Sequence, residues 1–167
     1  NQLMEAPNEA ACIEEVTRLL GVLLNVERVS FGMLTDSKHF LLKRVNIKKK
    51  GESENGEGDV SCSSELEVLD SDTQRPLKGT AAGVCMATLK EHYTPNTGES
   101  IFATHKVVHL NGINTVLVTP ILVNGNKAAG CIILSRKKED GFKKSDRVMI
   151  SDIALLLGAN IYSKRLL

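Results

Sequence analysis

The sequence predicts one α+β domain, an α/β sandwich with a central antiparallel sheet, the first and last helices on one face, and a short helix plus a lid segment over the other. Three patterns predict this fold. Apolar residues recur at helical spacing near both chain ends, residues 26–47 alternate like a strand pair, and Asn124-Gly125 joins two apolar runs as a tight hairpin. At 167 residues, one such domain accounts for residues 1–167.

Helices are expected at both ends of the chain. In residues 8–24 the apolar side chains fall on one helical stripe, and Asn8 is suited to cap the first free amides. The last helix is expected to open at Ser145 and to run through Met149 and Leu156 to Ile161 or beyond.

Two strands, residues 26–34 and 39–47, are expected to form a hairpin around the turn Asp36-Ser37-Lys38. Residues 48–64 then collect Lys, Glu, Gly, Asn and Ser, with hardly an apolar residue to offset the entropy of ordering them. We expect a mobile insertion loop there.

The middle of the chain is less regular. Residues 65–69 alternate as a short strand, and residues 79–89 are small and apolar, which predicts a short packed helix despite Gly83. Residues 92–112 are expected to form a long irregular connection. Such a connection typically covers a site or contributes to one, so we expect it to be the lid.

The clearest local signal is the second hairpin, in which residues 115–122 and 127–135 flank the Asn-Gly turn. Both runs are nearly continuous in apolar residues, as in strands that are covered on both faces. They are expected to be the central strands.

Composition and charge argue against several classes of function. Net charge is +1, from 21 basic and 20 acidic residues, so no long-range field attracts nucleic acid or an anionic membrane. No run approaches the roughly 20 apolar residues of a membrane span, and the first residues of this sequence lack the basic-then-apolar pattern of a signal sequence. Cys12, Cys62, Cys85 and Cys131 lack the paired spacing of a disulfide framework or zinc site. We expect a cytoplasmic domain, excised from a larger protein.

Three motifs in the second half of the chain carry a resemblance. They are Gly79-Thr80-Ala81-Ala82-Gly83-Val84, the strand Thr115-Val116-Leu117-Val118-Thr119-Pro120-Ile121 that ends in proline, and Gly130-Cys131-Ile132-Ile133-Leu134 followed by Phe142 and Asp146. In this order they resemble the GAF domain family; PAS domains are the main rival, but they do not need a long closing helix. The resemblance implies a regulatory domain that senses a small molecule, relays the signal to an output domain and is not an enzyme.

The resemblance also implies a ligand pocket between the sheet and residues 79–112. Its expected ligand is a cyclic nucleotide, cAMP or cGMP, because Phe142, Asp146 and Pro95-Asn96 fall where such members place theirs. Ser135, Arg136 and Arg147 depart from the signature. The backbone amides at a helix start would bind the phosphate. The candidate ligand-binding residues are Gly79, Thr80, Ala81, Ala82, Asn96, Thr97, Val116 and Val118.

Purely structural roles are an alternative to these ligand-binding assignments. Phe142 is more simply a core residue, Asp146 a favourable charge in the first turn of a helix, and Pro95-Asn96 a turn. His105 and His109, four residues apart, are expected to pack in the lid or to be exposed rather than to bind a metal.

Other functions stay open. One is a ligand-free dimerisation or relay module whose cavity is filled by its own side chains, and another is a haem or iron–sulfur redox sensor that uses His92 or a cysteine. The catalytic branch of the family, the free methionine sulfoxide reductases, uses cysteines in the small helix and the lid. Residues 96–114 contain no cysteine, and Cys85 and Cys131 lie in an apolar helix and strand where cysteine usually acts as a small hydrophobic residue. We expect a homodimer through the terminal helices, because residues 153–157 present apolar side chains on more than one face.

Overall fold

The computed structural model describes residues 9–49, 64–124, 126–137 and 141–166. The strands are β1 (Arg28–Leu34), β2 (His39–Lys49), β3 (Ser64–Pro76), β4 (His92–Thr94), β5 (Thr115–Val123) and β6 (Lys127–Arg136). The helices are α1 (Glu9–Leu24), α2 (Ala81–Thr88), α3 (Ala103–Leu110) and α4 (Lys144–Arg165), with a short 3-10 helix at Thr97–Glu99.

The described strands form one six-stranded sheet in the order β3-β2-β1-β6-β5-β4. Each neighbouring pair is antiparallel. The predicted fold class is therefore confirmed. β6 and β1 lie at the centre, and among the described strands β5 has on its outer side only the three residues of β4.

Side-chain alternation along the strands divides the core into two layers. Phe31, Leu117 and Ile121 belong to the layer beneath α1 and α4. Val116 and Val118 belong to the layer beneath α2, which Phe102 and Val108 from the lid segment also cover. One sheet thus separates a face covered by the terminal helices from a face covered by the middle of the chain.

The lid prediction was wrong in its local structure. Residues 92–112 contain β4, the 3-10 helix and α3 rather than an irregular connection. The Ser100 hydroxyl accepts a hydrogen bond from the Phe102 amide at 3.1 Å, and Phe102 and Val108 pack on the core, so α3 has an anchored start and one apolar side. A helix of eight residues depends on such packing more than on its propensity.

The strand boundaries also differ from the predicted ones, by one or two residues in most strands and by more in β3. β3 is thirteen residues long, well beyond the predicted 65–69, because pairing with β2 extends a largely polar segment. β5 ends at Val123, one residue beyond the predicted range 115–122, and so contains Pro120 in its interior. Pro120 lies in the part of β5 beyond its pairing with β4, which begins at His92 opposite Val118, so the missing N–H of Pro120 breaks no hydrogen bond to β4.

The ends of the helices follow the sequence closely, with small shifts. α1 begins at Glu9, and the expected cap Asn8 lies outside the described residues. α4 begins at Lys144, so Ser145 stands inside its first turn and Lys143 is the N-cap. None of the described helices is long and apolar enough to cross a membrane.

The expected insertion at 48–64 falls mostly outside the described residues, which stop at Lys49 and resume at Ser64. Its two ends are strand residues of β2 and β3. Lys48 forms an ion pair with Glu67 across these strands.

Candidate functional site

The start of α2 is the first part of the predicted site. Thr80 is its N-cap, and the Thr80 hydroxyl accepts a hydrogen bond from the Gly83 amide at 3.0 Å. The same hydroxyl donates to the Leu77 carbonyl at 2.8 Å. Both hydrogen-bonding functions of Thr80 are thus used inside the protein, whereas Gly79, with φ of +76°, is exposed beside the turn between β1 and β2.

Asn96 and Thr97 form the second part of the predicted site, and both have structural partners. Asn96 is exposed, and its Oδ1 accepts from the Gly98 amide at 3.0 Å, which is the turn role that the Pro-Asn pair favours. Thr97 is buried, and its hydroxyl donates to the Ile113 carbonyl at 2.6 Å. Because that proton is committed, His109 Nδ1 is the donor in its 3.1 Å contact with Thr97 Oγ1.

The structure does not bring these two parts together. The Thr97 amide donates to the Asn114 carbonyl, just before β5 begins. The start of α2 lies at the opposite end of the sheet. The Leu77 amide, just before α2, donates to the Lys38 carbonyl in the turn between β1 and β2, and this turn lies at the end of the sheet where β5 finishes. A nine-residue strand separates these ends by about 25 Å. One small ligand does not contact both in this arrangement.

The floor of the predicted pocket is closed. Val116 and Val118 are buried, and so are Ala81, Ala82 and Cys85 of α2. The Cys85 thiol lies 3.7 Å from the Val118 carbonyl oxygen. These side chains pack on one another and leave almost no solvent-accessible surface. Whether any of the eight candidate residues binds a ligand stays a prediction.

An aromatic and histidine cluster that the sequence did not predict lies over this floor. The His92 and Phe102 ring centroids are 5.3 Å apart, and the Phe102 and His105 centroids are 5.5 Å apart. His105 Nδ1 lies 2.9 Å from the Ser100 hydroxyl oxygen. Burial, with a smaller contribution from His92, lowers the pKa of His105 to about 4, so this ring is neutral at pH 7.

His92 Nδ1 is buried and has no hydrogen-bond partner among the described residues. An unsatisfied buried nitrogen costs free energy, so a water or another polar group is expected beside it. The signal in the sequence was the presence of three histidines within residues 92–109, but only the fold shows that two of them share one aromatic cluster.

His105 and His109 do lie four residues apart on a helix, α3, yet their side chains take different partners, Ser100 and Thr97. No group of three or more His, Cys, Asp or Glu side chains suited to a metal occurs among the residues that the structure describes.

The cysteines on the lid side are buried. Burial raises the pKa of the Cys85 thiol to about 12 and also raises the pKa of the Cys131 thiol well above its usual value. Because the thiolate is the nucleophile, neither residue is activated for covalent chemistry. Cys62 lies outside the described residues.

The residues of the cyclic-nucleotide signature also have structural positions. Phe142 is buried in the core beneath α1 and α4, and Asp146 stands in the first turn of α4. Arg136 donates to the carbonyls of Leu24 and Gly141, and its guanidinium lies 4.2 Å from the centroid of the Phe142 ring. These positions agree with the core and cap roles weighed from the sequence.

The covered sheet, with helices from both chain ends on one face and a small helix and helical lid on the other, defines a small α+β sandwich domain. The family model of the GAF domain matches residues 8–161. The chain belongs to the GAF domain family, as the sequence resemblance predicted. GAF domains are generally regulatory and sensory domains of signalling proteins.

Solved structures with the same fold include regulatory proteins and an enzyme. The GAF domain of a two-component sensor histidine kinase from Bacillus halodurans is 18% identical, with 93% of this chain and 95% of that chain covered and a TM-score of 0.67. The GAF domain of a phosphoenolpyruvate-protein phosphotransferase from Coxiella burnetii is 15% identical, with coverage of 99% and 89% and a TM-score of 0.70.

A type II free methionine-R-sulfoxide reductase from Thermoplasma acidophilum is 14% identical, with 93% of each chain covered and a TM-score of 0.66. At these identities the likeness shows the fold alone. No curated protein sequence gives a match to this chain.

Proposed function

We propose that this GAF domain is a non-catalytic regulatory module that relays a signal through its terminal helices, with the face beneath α2 and α3 filled by its own side chains. The observation that carries the proposal is the packing of that face. Val116, Val118 and Cys85 are buried by protein atoms, and Phe102 and His105 pack over the same side of the sheet. A ligand there has to displace this lid.

The absence of catalysis is proposed on the chemistry of the thiols. A reductase of the sulfoxide type needs a reactive cysteine, but burial raises the pKa of Cys85 and of Cys131. A cytoplasmic location is proposed because Cys12, Cys85 and Cys131 are all free thiols, as is usual in a reducing compartment.

Ligand binding under the lid is the second candidate function, and the unpartnered His92 Nδ1 favours it. A ligand that entered as the lid moved would find this nitrogen. We expect melting curves of the purified protein with cAMP or cGMP at millimolar concentration to be unchanged, because the packed face gives neither nucleotide a preformed site. A concentration-dependent rise in melting temperature with either nucleotide would replace the relay proposal with the ligand-sensing one.

Pairing through the terminal helices is proposed because both helices expose large apolar side chains. α1 and α4 contact each other and cover the same face of the sheet. The exposed apolar residues on them are Leu19, Val22, Leu23, Val148, Leu155, Leu156 and Tyr162, and Leu166 follows at the C-cap of α4. Several such residues on adjacent helices are typical of a surface that is buried in an assembly.

Leu156→Arg is expected to shift the protein from dimer to monomer in sedimentation equilibrium, because Leu156 is 72% exposed and a buried arginine without a partner opposes association. The weakening should be at least tenfold in the dissociation constant. Leu110→Arg is the matched control, since Leu110 is 84% exposed but lies on α3. Equal effects of both substitutions, or a monomeric parent protein at high micromolar concentration, would contradict pairing through α1 and α4.

A further inference from the structure

A second cleft lies outside the face beneath α2 and α3, at the edge of the sheet. β4 begins at His92, opposite Val118, and among the described strands none lies beside the remainder of β5, from Thr119 to Val123, on that side. The cleft that opens there has a volume of about 400 Å³ and is bounded by the end of α2, the outer part of β5 and α4. Its apolar walls are Leu89, Pro120, Leu122 and Leu155.

A buried hydroxyl without a partner lines this cleft. Thr119 is only 2% exposed, and its Oγ1 has no hydrogen-bond partner among the described residues. Within a strand of otherwise apolar character, such a hydroxyl loses its hydration on folding and gains nothing in return. Ser151 of α4 lines the same cleft and adds a second hydroxyl. The cleft therefore combines an apolar body with a small polar end.

The charges around the cleft favour an anion. Lys90 and Glu91 both line it, but the Glu91 carboxylate accepts a hydrogen bond from Arg147 Nε at 2.9 Å. That ion pair balances the negative charge of Glu91, so Lys90 leaves the rim positive. A hydroxyl donor and an ammonium donor are the groups that a carboxylate accepts from.

We propose that this edge cleft binds a small aliphatic carboxylate, with its chain against Leu89, Leu122 and Leu155 and its carboxylate directed to the Thr119 hydroxyl and Lys90. Pro120 argues against an added peptide strand, because it has no N–H to offer along the free edge. The cleft lies beside the lid face rather than beneath it, since Leu89 and Leu122 also pack against the layer under α2. Leu155 places the ligand against α4, one of the two helices of the proposed pairing surface.

The test uses hexanoate as the probe and hexan-1-ol as its neutral counterpart, each titrated into the ¹⁵N-labelled protein and followed by NMR. Hexanoate should give saturable shifts centred on Leu89, Thr119 and Ser151, and hexan-1-ol should bind at least tenfold more weakly. Shifts centred instead on Val116 and His105, absence of saturation, or equal binding of the two probes would overturn the proposal.

Two substitutions make the test specific. Thr119→Val keeps the shape of the side chain and removes a hydroxyl that has no partner, so it should fold with an unchanged or higher melting temperature and bind hexanoate at least tenfold more weakly. Lys90→Gln should weaken hexanoate and leave hexan-1-ol unchanged. Thr115→Val, in the same strand, is the control and should bind hexanoate as the parent does, since the Thr115 hydroxyl donates to the Pro95 carbonyl.

Undiminished hexanoate binding by Thr119→Val would overturn the proposal. So would a loss of stability in that variant, because it would show that the hydroxyl is satisfied inside the protein. The readouts are shifts at the cleft and hexanoate affinity, whereas pairing is measured by sedimentation and nucleotide binding by melting curves, so the cleft and the relay function can fail separately.

Discussion

Replacement of Arg136 by methionine is expected to lower the free energy of unfolding by about 3 to 5 kcal/mol, which is the scale of two buried carbonyls left without a donor. Arg136 is 9% exposed and its guanidinium donates to the Leu24 carbonyl at the end of α1 and to the Gly141 carbonyl before α4. Methionine fills a similar volume but leaves both carbonyls without a donor. Urea denaturation monitored by circular dichroism measures the loss.

Arg147→Met is the matched control for this substitution. Arg147 also stacks on an aromatic ring, that of Tyr93 at 4.5 Å, and also bonds an acceptor, Glu91. Its side chain and that of Glu91 are 32% and 31% exposed, so their ion pair is screened by water and its loss should cost about 1 kcal/mol or less. A similar cost for both substitutions would mean that solvent satisfies the two carbonyls when Arg136 is removed.

Gly158→Ala is expected to destabilise the protein by about 3 kcal/mol, because α4 approaches β5 too closely for a side chain at this position. A Cβ atom on Gly158 would overlap the carbonyl oxygen of Leu122 and lie 2.9 Å from its carbonyl carbon. These are backbone atoms of a paired strand, so relief requires the helix or the strand to shift. Thermal and urea unfolding both report the loss.

Gly21→Ala provides the contrast within the same layer of helices. A Cβ on Gly21 would meet the end of the Ile47 side chain, which can rotate away, rather than backbone. Alanine also gains up to about 1 kcal/mol of helix propensity over glycine, so the net cost should stay below about 1 kcal/mol. If Gly158→Ala were no worse than Gly21→Ala, the close approach of α4 to β5 would not constrain the fold.

The candidate site was only partly predictable because the sequence gives the chemical groups but not their partners. Thr80 was identified as a hydroxyl at a helix start, which is correct, but its bonds to Gly83 and Leu77 depend on the turn that precedes α2. In the sequence, Arg136 is recognisable only as a departure from the cyclic-nucleotide signature. Its hydrogen-bond acceptors are the carbonyls of Gly141 and Leu24, and Leu24 is 112 residues away along the chain.

Thr119 likewise could not be predicted as a binding residue from the sequence. In the sequence it is one of two threonines in the run 115–123, and a buried threonine whose hydroxyl has a partner would look the same. Its hydroxyl lacks a partner in the structure, and the cleft beside it exists because β4 is only three residues long. A strand length of this kind depends on how the neighbouring segments pack, so no local pattern predicts it.

The sequence by itself determined the fold class, the order of the main elements and the membership of a family, because side-chain periodicity, Asn-Gly turn chemistry and small-residue motifs act locally along the chain. Only the tertiary structure decided the helical lid, the full length of β3, the packing over Val116 and Val118, and the separation of Thr80 from Asn96. Each of these depends on contacts between segments distant in sequence, whose free energies overrode the weak local preferences of residues 64–76 and 92–112.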